Sequence, residues 1–403
     1  MKKFFLPITL SLLLALSACG TQQTPSATTA NTQTEATAVA TVTDETNSTA
    51  PESGEPTLSD LIAEYKQNMK LDGDMFYTQE DVCDEPALSS YKKFASCSEE
   101  SITVPGLNQS IVPQGMDYWK EMGWMLISGY ASDENKNGGK GSALFAVDME
   151  SGRFVGEYFL KNMDGTYHTS HAGGVAVTKK NVFISNGSTL YRIPLTELLK
   201  QSGDATIVEE ISVPVSASFA NCSGGILWVG DFQYGDSYPT AEFRHMKNRQ
   251  GGTYFAWTVG YILDGTTENE LKASAMVKDS FATPDYVLSH TERIQGMSYL
   301  PEIGQIALSQ SYGRTNTSTI MFYEDPMGDT PHATTMLNGV SVPVWFLDKK
   351  LDNKQLLALP MSEGIANIDG KLYVLFESGA EKYRLGGGKH PTDKVYVVDF
   401  TKW

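Results

Sequence analysis

One short unit recurs along most of this chain, and it limits the possible folds more than any other feature. It opens with a polar residue followed by small or apolar ones: Gln114-Gly115-Met116, His171-Ala172-Gly173-Gly174-Val175, Asn221-Cys222, Gln295-Gly296-Met297 and Glu363-Gly364-Ile365. A second apolar run follows each opening, at Trp124 to Ser128, Val182 to Ser185, Ile226 to Val229, Gln305 to Ser309 and Leu372 to Phe376. A third ends most units, at Ser142 to Asp148, Thr189 to Ile193, Thr253 to Ile262, Thr319 to Tyr323 and Lys394 to Asp399. The openings lie 57, 50, 74 and 68 residues apart. Gly, Asn and Asp turns separate the runs, which predicts all-β structure. A repeat of this size cannot bury its apolar face alone, so the units must stack.

Strand, turn, strand, turn, strand at this spacing resembles a β-propeller, whose blades are four-stranded sheets around a channel. The resemblance covers residues 101–403 and implies five blades. A sixth has room within 230–290, where Asp236 to Gln250 reads as an insertion. The last unit has three strands, and Ser101 to Val104 is expected to supply its fourth, closing the ring and leaving no open edge. Before the ring, Leu58, Leu61, Ile62, Tyr65 and Met69 share a helical face, with Ser59 and Asp60 as cap chemistry, predicting one short helix. The remainder of 58–100 reads as irregular. It contains Cys83 and Cys97, which are expected to form a disulfide.

The N-terminus carries a different signal. Lys2 and Lys3 precede the apolar run Phe4 to Leu16, and Leu16-Ser17-Ala18 leads into Cys19. Residues 1–18 resemble a bacterial lipoprotein signal peptide with its lipobox. The resemblance implies cleavage before Cys19 and lipidation of its thiol, with acyl chains such as palmitate holding the protein on the cell membrane or outer membrane, outside the cytoplasm. Residues 19–57 are rich in Thr, Ala, Gln, Glu, Ser and Pro and have no aromatic residue, so they read as a disordered spacer. The net charge of −17 becomes −19 once Lys2 and Lys3 are removed. Such a surface repels nucleic acid and anionic headgroups, so attachment to a membrane falls to the lipid.

In propellers, ligands bind where the inner strands begin. That rule places Gln114, His171, Asn221, Gln295 and Glu363 around the channel mouth as the candidate ligand site. The bland alternative is hydrogen bonding between strands, with the glycines allowing close packing. Glu363-Gly364 also resembles the acid-plus-glycine opening of the gluconolactonase and regucalcin-like propellers, which implies a divalent cation such as calcium. Only Glu363 of the five is a carboxylate, whereas calcium takes six to eight oxygens. Amides and one acid suit a neutral sugar or peptide better. Tyr118, Trp119, Trp124, Phe232 and Tyr234 offer stacking surfaces, or else pack blade against blade.

Other motifs carry less. Asp133, Asn135 and Asn137, ahead of Gly138, match the first half of a calcium loop, but Leu144 stands where the closing acid belongs. His168 and His171 have zinc-compatible spacing without a local third ligand. His290, near Gln295, is a candidate base. Cys222 reads as a small core residue, and no Gly-x-Ser-x-Gly elbow occurs. The expectation is a cell-surface lipoprotein whose propeller binds a glycan, peptide or protein partner at the channel mouth. The alternatives are a metal-dependent lactonase or esterase, with Glu363 as metal ligand and His171 or His290 as base, and a scaffold subunit without a pocket.

Overall fold

The computed structural model describes residues 55–68, 75–133, 138–200, 202–351 and 354–402. Cys19, Asn135 and Asn137, the signal and most of the spacer lie outside the described residues. The structure below is that of the unit Glu55–Trp403.

Among the described residues twenty-five strands run in chain order, and most belong to five sheets. The first is β1 (Ser98–Thr103). Blade one follows with β2 (Ile111–Trp119), β3 (Trp124–Ala131), β4 (Ala143–Asp148) and β5 (Phe154–Lys161). Blade two is β6 (Gly174–Val177), β7 (Asn181–Asn186) and β8 (Thr189–Pro194), then β9 (Asp204–Thr206), which pairs back onto β5, and β10 (Glu209–Ser212). Blade three starts with β11 (Phe219–Ser223) and β12 (Ile226–Gly230). A side hairpin, β13 (Met246–Lys247) with β14 (Thr253–Tyr254), interrupts it before β15 (Ala256–Ile262) and β16 (Tyr286–His290). Blade four is β17 (Ile294–Leu300), β18 (Gln305–Gln310) and β19 (Ser318–Glu324). The hairpin β20 (Ala333–Leu337) and β21 (Val340–Phe346) then crosses back to extend blade three, before β22 (Lys354–Ala358) completes blade four. Blade five is β23 (Ser362–Ile368), β24 (Lys371–Phe376) and β25 (Lys394–Val398).

The ring closes as the strand count requires. β1 pairs with β25 through Ser98↔Val398, Glu100↔Tyr396 and Thr103↔Lys394, so the two ends of the domain share one sheet. The protein is a five-bladed β-propeller. The sixth blade allowed for 230–290 does not exist, because β15 and β16 are the third and fourth strands of blade three and the rest of that stretch forms the side hairpin and loops.

Large side chains fill the seams between blades. Trp119 and Trp124, both fully buried, pack in the cluster shared with Leu126, Val175 and Ile184, so they are core residues and offer no stacking surface for a ligand. The helix α1 (Leu58–Asn68) docks Ile62 and Tyr65 into this cluster, with the Tyr65 ring edge-on to Trp124 at 5.4 Å. Its cap is Thr57. The Thr57 N–H donates to the Asp60 carboxylate (2.9 Å) and the Asp60 N–H to the Thr57 hydroxyl (3.3 Å), a reciprocal capping box.

Cys83 and Cys97 are free, so the expected disulfide is not formed. Different anchors hold them. Cys97 ends the helix α2 (Lys92–Cys97) and turns into the core beside Phe94, Phe376 and Tyr396, its thiol donating to the Lys93 carbonyl (3.1 Å). Cys83 is fixed by its backbone N–H, which donates to the Asp393 carboxylate (2.8 Å). Cys222 is half-buried against the core of blades two and three, and burial raises its thiol pKa well above the ordinary range.

Candidate functional site

The five inner strands form a closed ring, β2 beside β6, then β11, β17, β23 and β2 again. Two glycines set how closely they approach. A Cβ on Gly115 would lie 2.4 Å from the Val175 nitrogen, and one on Gly174 only 2.2 Å from the Ala220 nitrogen. Any larger residue at either position would push adjacent blades apart.

Three inner strands slip register at their polar opening residue. The irregularities fall between Pro113 and Met116, Ile294 and Gly296, and Ser362 and Ile365. A β-bulge leaves its extra residue unpaired and re-aims it. The residues so turned are Gln114, Gln295 and Glu363, and all three line a cavity of about 1010 Å³ at the channel mouth. His171, from the loop before β6, lines it too. The ends of the second strands add a further ring: Tyr130, Asn186, Phe232, Ser311 and Glu377. Tyr238, Tyr312 and Tyr383 extend the aromatic wall, with Arg314 and Lys382 beside them.

Four of the five expected ring residues therefore meet at one cavity, and Asn221 does not. β11 begins at Phe219, so Asn221 sits two residues down the strand, and Ser216 and Ser218 line the mouth for blade three. Its amide donates at 3.4 Å to both the Asp117 carboxylate and the Ile365 carbonyl. Of the candidate stacking residues, Phe232 lines the mouth, whereas Tyr234 packs on Tyr312 with ring centroids 4.2 Å apart.

The sequence reading missed the site's central feature, a pair of carboxyls. Glu377 is the first residue after β24, and its carboxyl lies beside that of Glu363 at the cavity wall, close enough for each to act on the other's ionisation. Gln295 donates to Glu363 Oε1 (2.8 Å) and Gln114 to Glu377 Oε2 (3.0 Å), so the two bulged amides flank the pair. Burial raises the pKa of both acids, and for Glu363 the Glu377 charge adds to the effect. Two buried carboxyls side by side favour a proton held between them, since like charges that close cannot both ionise cheaply.

Lys382 caps this group. Its ammonium donates to the Tyr130 hydroxyl (3.1 Å) and lies 5.4 Å and 5.1 Å from the Tyr130 and Tyr383 ring centres. His171 stacks on Tyr130 at 4.6 Å. Its ring opens onto the cavity, yet the enclosing walls and the Lys382 charge lower its pKa, which favours neutral imidazole.

The other sequence candidates lie elsewhere. His290 is fully buried between Thr258 (3.0 Å) and the Thr291 carbonyl (2.8 Å), and burial pushes its pKa down to about 4, so it is a core histidine and not a base at the mouth. His168 bonds Asn162 (2.9 Å) and lines a separate hollow of about 410 Å³, so it does not chelate with His171. Among the described residues no three His, Cys, Asp or Glu side chains form a metal cluster. Asp133 is the one described member of the candidate calcium loop. At the mouth, each carboxyl already accepts an amide N–H, and Lys382 lines the same cavity. That donor set does not fit a hard dication.

A second buried carboxylate lies further down the channel. Asp117 is three residues past Gln114 on β2, about 10 Å along the strand. It accepts N–H bonds from Val177 (2.7 Å), Cys222 (3.0 Å) and Tyr118 (2.9 Å), tying β2 to β6 and β11. Burial still pushes its pKa up to about 7.

No family model and no curated protein matches this chain. Solved structures do. The Myxococcus xanthus glutaminyl cyclase aligns over 75% of this chain and 93% of its own at 11% identity (TM-score 0.36). XC5397, a gluconolactonase from Xanthomonas campestris, aligns over 81% and 99% at 9% identity (TM-score 0.33). The hydrazine synthase of Kuenenia stuttgartiensis aligns over 65% of this chain at 10% identity (TM-score 0.31), and this chain spans 55% of its length. Likenesses at this level carry no information about activity.

Proposed function

We propose that this protein is a lipid-anchored, extracytoplasmic binding protein whose propeller mouth takes a neutral polar ligand, a sugar or the end of a peptide. The observation that carries the reading is the Glu363–Glu377 pair, flanked by Gln114 and Gln295 and opening on an aromatic-walled cavity. A concave site with a few converging polar groups among aromatics is the usual form of a small-ligand pocket. The amides and the shared carboxyl proton supply both donors and acceptors, and Tyr130, Tyr238 and Tyr312 supply faces for stacking. A glycan and peptide array probed with the full chain tests this. Retention of a defined class, weakened about tenfold by Tyr130→Ala, supports it; equal retention by both proteins counts against the mouth as the site.

The anchor rests on Leu16-Ser17-Ala18-Cys19. Among the described residues no helix is long and apolar enough to cross a membrane. Cys19→Ser is expected to move the protein from the membrane to the soluble fraction of expressing bacteria. Unchanged membrane association would overturn the anchor.

A further inference from the structure

We propose that Glu363 and Glu377 form a metal-independent acid–base pair that hydrolyses a neutral ester or amide bound at the channel mouth. This rests on the mouth being the ligand site and adds a reaction to it.

Three observations point this way. First, the propeller does not require the pair. The equivalent positions in the other four blades hold no acid: Gln114 with Tyr130, His171 with Asn186, Ser218 with Phe232, Gln295 with Ser311. Only blade five carries an acid at both places, at the cost of burying two like-charged groups side by side. Second, the acids face open space, since both line the cavity of about 1010 Å³. Third, their adjacency selects the chemistry. Neighbouring carboxyls on one cavity wall, one bonded by Gln295 and the other by Gln114, are the arrangement of the proton-sharing dyads, in which one group is base and the other acid. The charged and titratable groups facing the pair are Lys382, Tyr383, Tyr130, His171 and Arg314, and none of the carboxylates is drawn into an ion pair with them at contact distance.

The step balances within the pair. The carboxylate takes a proton from water as the water oxygen bonds to the carbonyl carbon, and the neighbouring carboxyl gives its proton to the carbonyl oxygen. The neutral tetrahedral intermediate collapses when the carbon–oxygen or carbon–nitrogen bond breaks. The leaving atom takes the proton held by the first carboxyl, and an intermediate hydroxyl returns one to the second. An acid, an alcohol or amine, and the original pair result.

The epoxide 1,2-epoxy-3-(4-nitrophenoxy)propane tests the pair without a known substrate. A carboxylate opens its ring only slowly unless an adjacent acid protonates the departing oxygen, leaving a hydroxyalkyl ester that peptide mass mapping locates. With the full chain, labelling at Glu363 or Glu377 is expected to run on the order of a hundredfold faster than at exposed Glu242. It should fall at low pH, where no carboxylate remains, and at high pH, where no proton remains. Glu363→Gln and Glu377→Gln should each abolish the fast phase. Labelling spread evenly over surface acids overturns the inference, and so does an unchanged rate at the partner acid in either variant. The wild-type comparison is decisive even if a variant fails to fold. Array binding measured on the same preparation separates the two readings: binding without fast labelling overturns the chemistry alone, and fast labelling without binding overturns the choice of ligand class.

Discussion

Two groups of buried acid lie along one channel, and the propeller treats them in opposite ways. Asp117 is surrounded by backbone donors from three strands. Glu363 and Glu377 have each other, two side-chain amides and a void. Burial raises the pKa at both places, so a raised pKa does not distinguish them. The partners do. A carboxylate that satisfies N–H groups the fold would otherwise strand is a staple, whereas a like-charged pair facing open space is a site the fold tolerates.

Deleting residues 395–403 takes away most of β25, which pairs with β24 and β1 and closes the ring. Loss of any cooperative melt is expected; a sharp, near-native transition would show that closure is not needed. Next comes Asp117→Ala, which takes the acceptor from three backbone N–H groups, that of Val177 fully buried and those of Cys222 and Tyr118 partly so. A loss of about 3–5 kcal/mol in denaturant unfolding is expected. A loss below about 1 kcal/mol would remove the staple from the account.

Glu363→Gln should behave differently. The pair's pKa is raised above the unfolded value, so the folded state holds a proton that the unfolded chain releases. That contribution is complete below the ordinary glutamate range, and it is lost as pH rises through the raised pKa, about 7 for Glu377. The glutamine variant lacks this loss. Its melting temperature relative to wild type should therefore climb between pH 5 and pH 8, reaching a gain on the order of 1 kcal/mol. A constant offset across that range would show that no proton is shared. The smallest effect on stability belongs to Tyr130→Ala. It removes an aromatic wall that is only half-buried, and should lower ligand affinity about tenfold while leaving the melt nearly unchanged.

The ring was legible in the sequence because each blade repeats one polar–small–apolar opening, and because an unpaired fourth strand had to be found for the last blade. Even the bulges left a trace, since the Gln-Gly and Glu-Gly openings are the residues that slip register. Glu377 was not legible. It follows an apolar strand, and only the pairing of β23 with β24 turns its carboxyl toward Glu363. Asn221 failed for a related reason, because blade three begins its inner strand two residues earlier than the pattern suggested. His290 lies close to Gln295 in sequence, yet it ends an outer strand of blade three, where the core encloses it. Cys83 and Cys97 lie close in sequence, but the Asp393 carboxylate and the core cluster around Phe94 hold them separately.

The most direct test of the contrast between staple and site is a ¹³C titration of the glutamate side-chain carboxyl carbons, with Glu363→Gln and Glu377→Gln supplying the assignments. If the account holds, the pair keeps one proton to near neutral pH, and replacing Glu377 lowers the pKa of Glu363. If both carboxyls instead ionise together in the ordinary glutamate range, and neither responds to loss of the other, they share no proton and the site as described here is wrong.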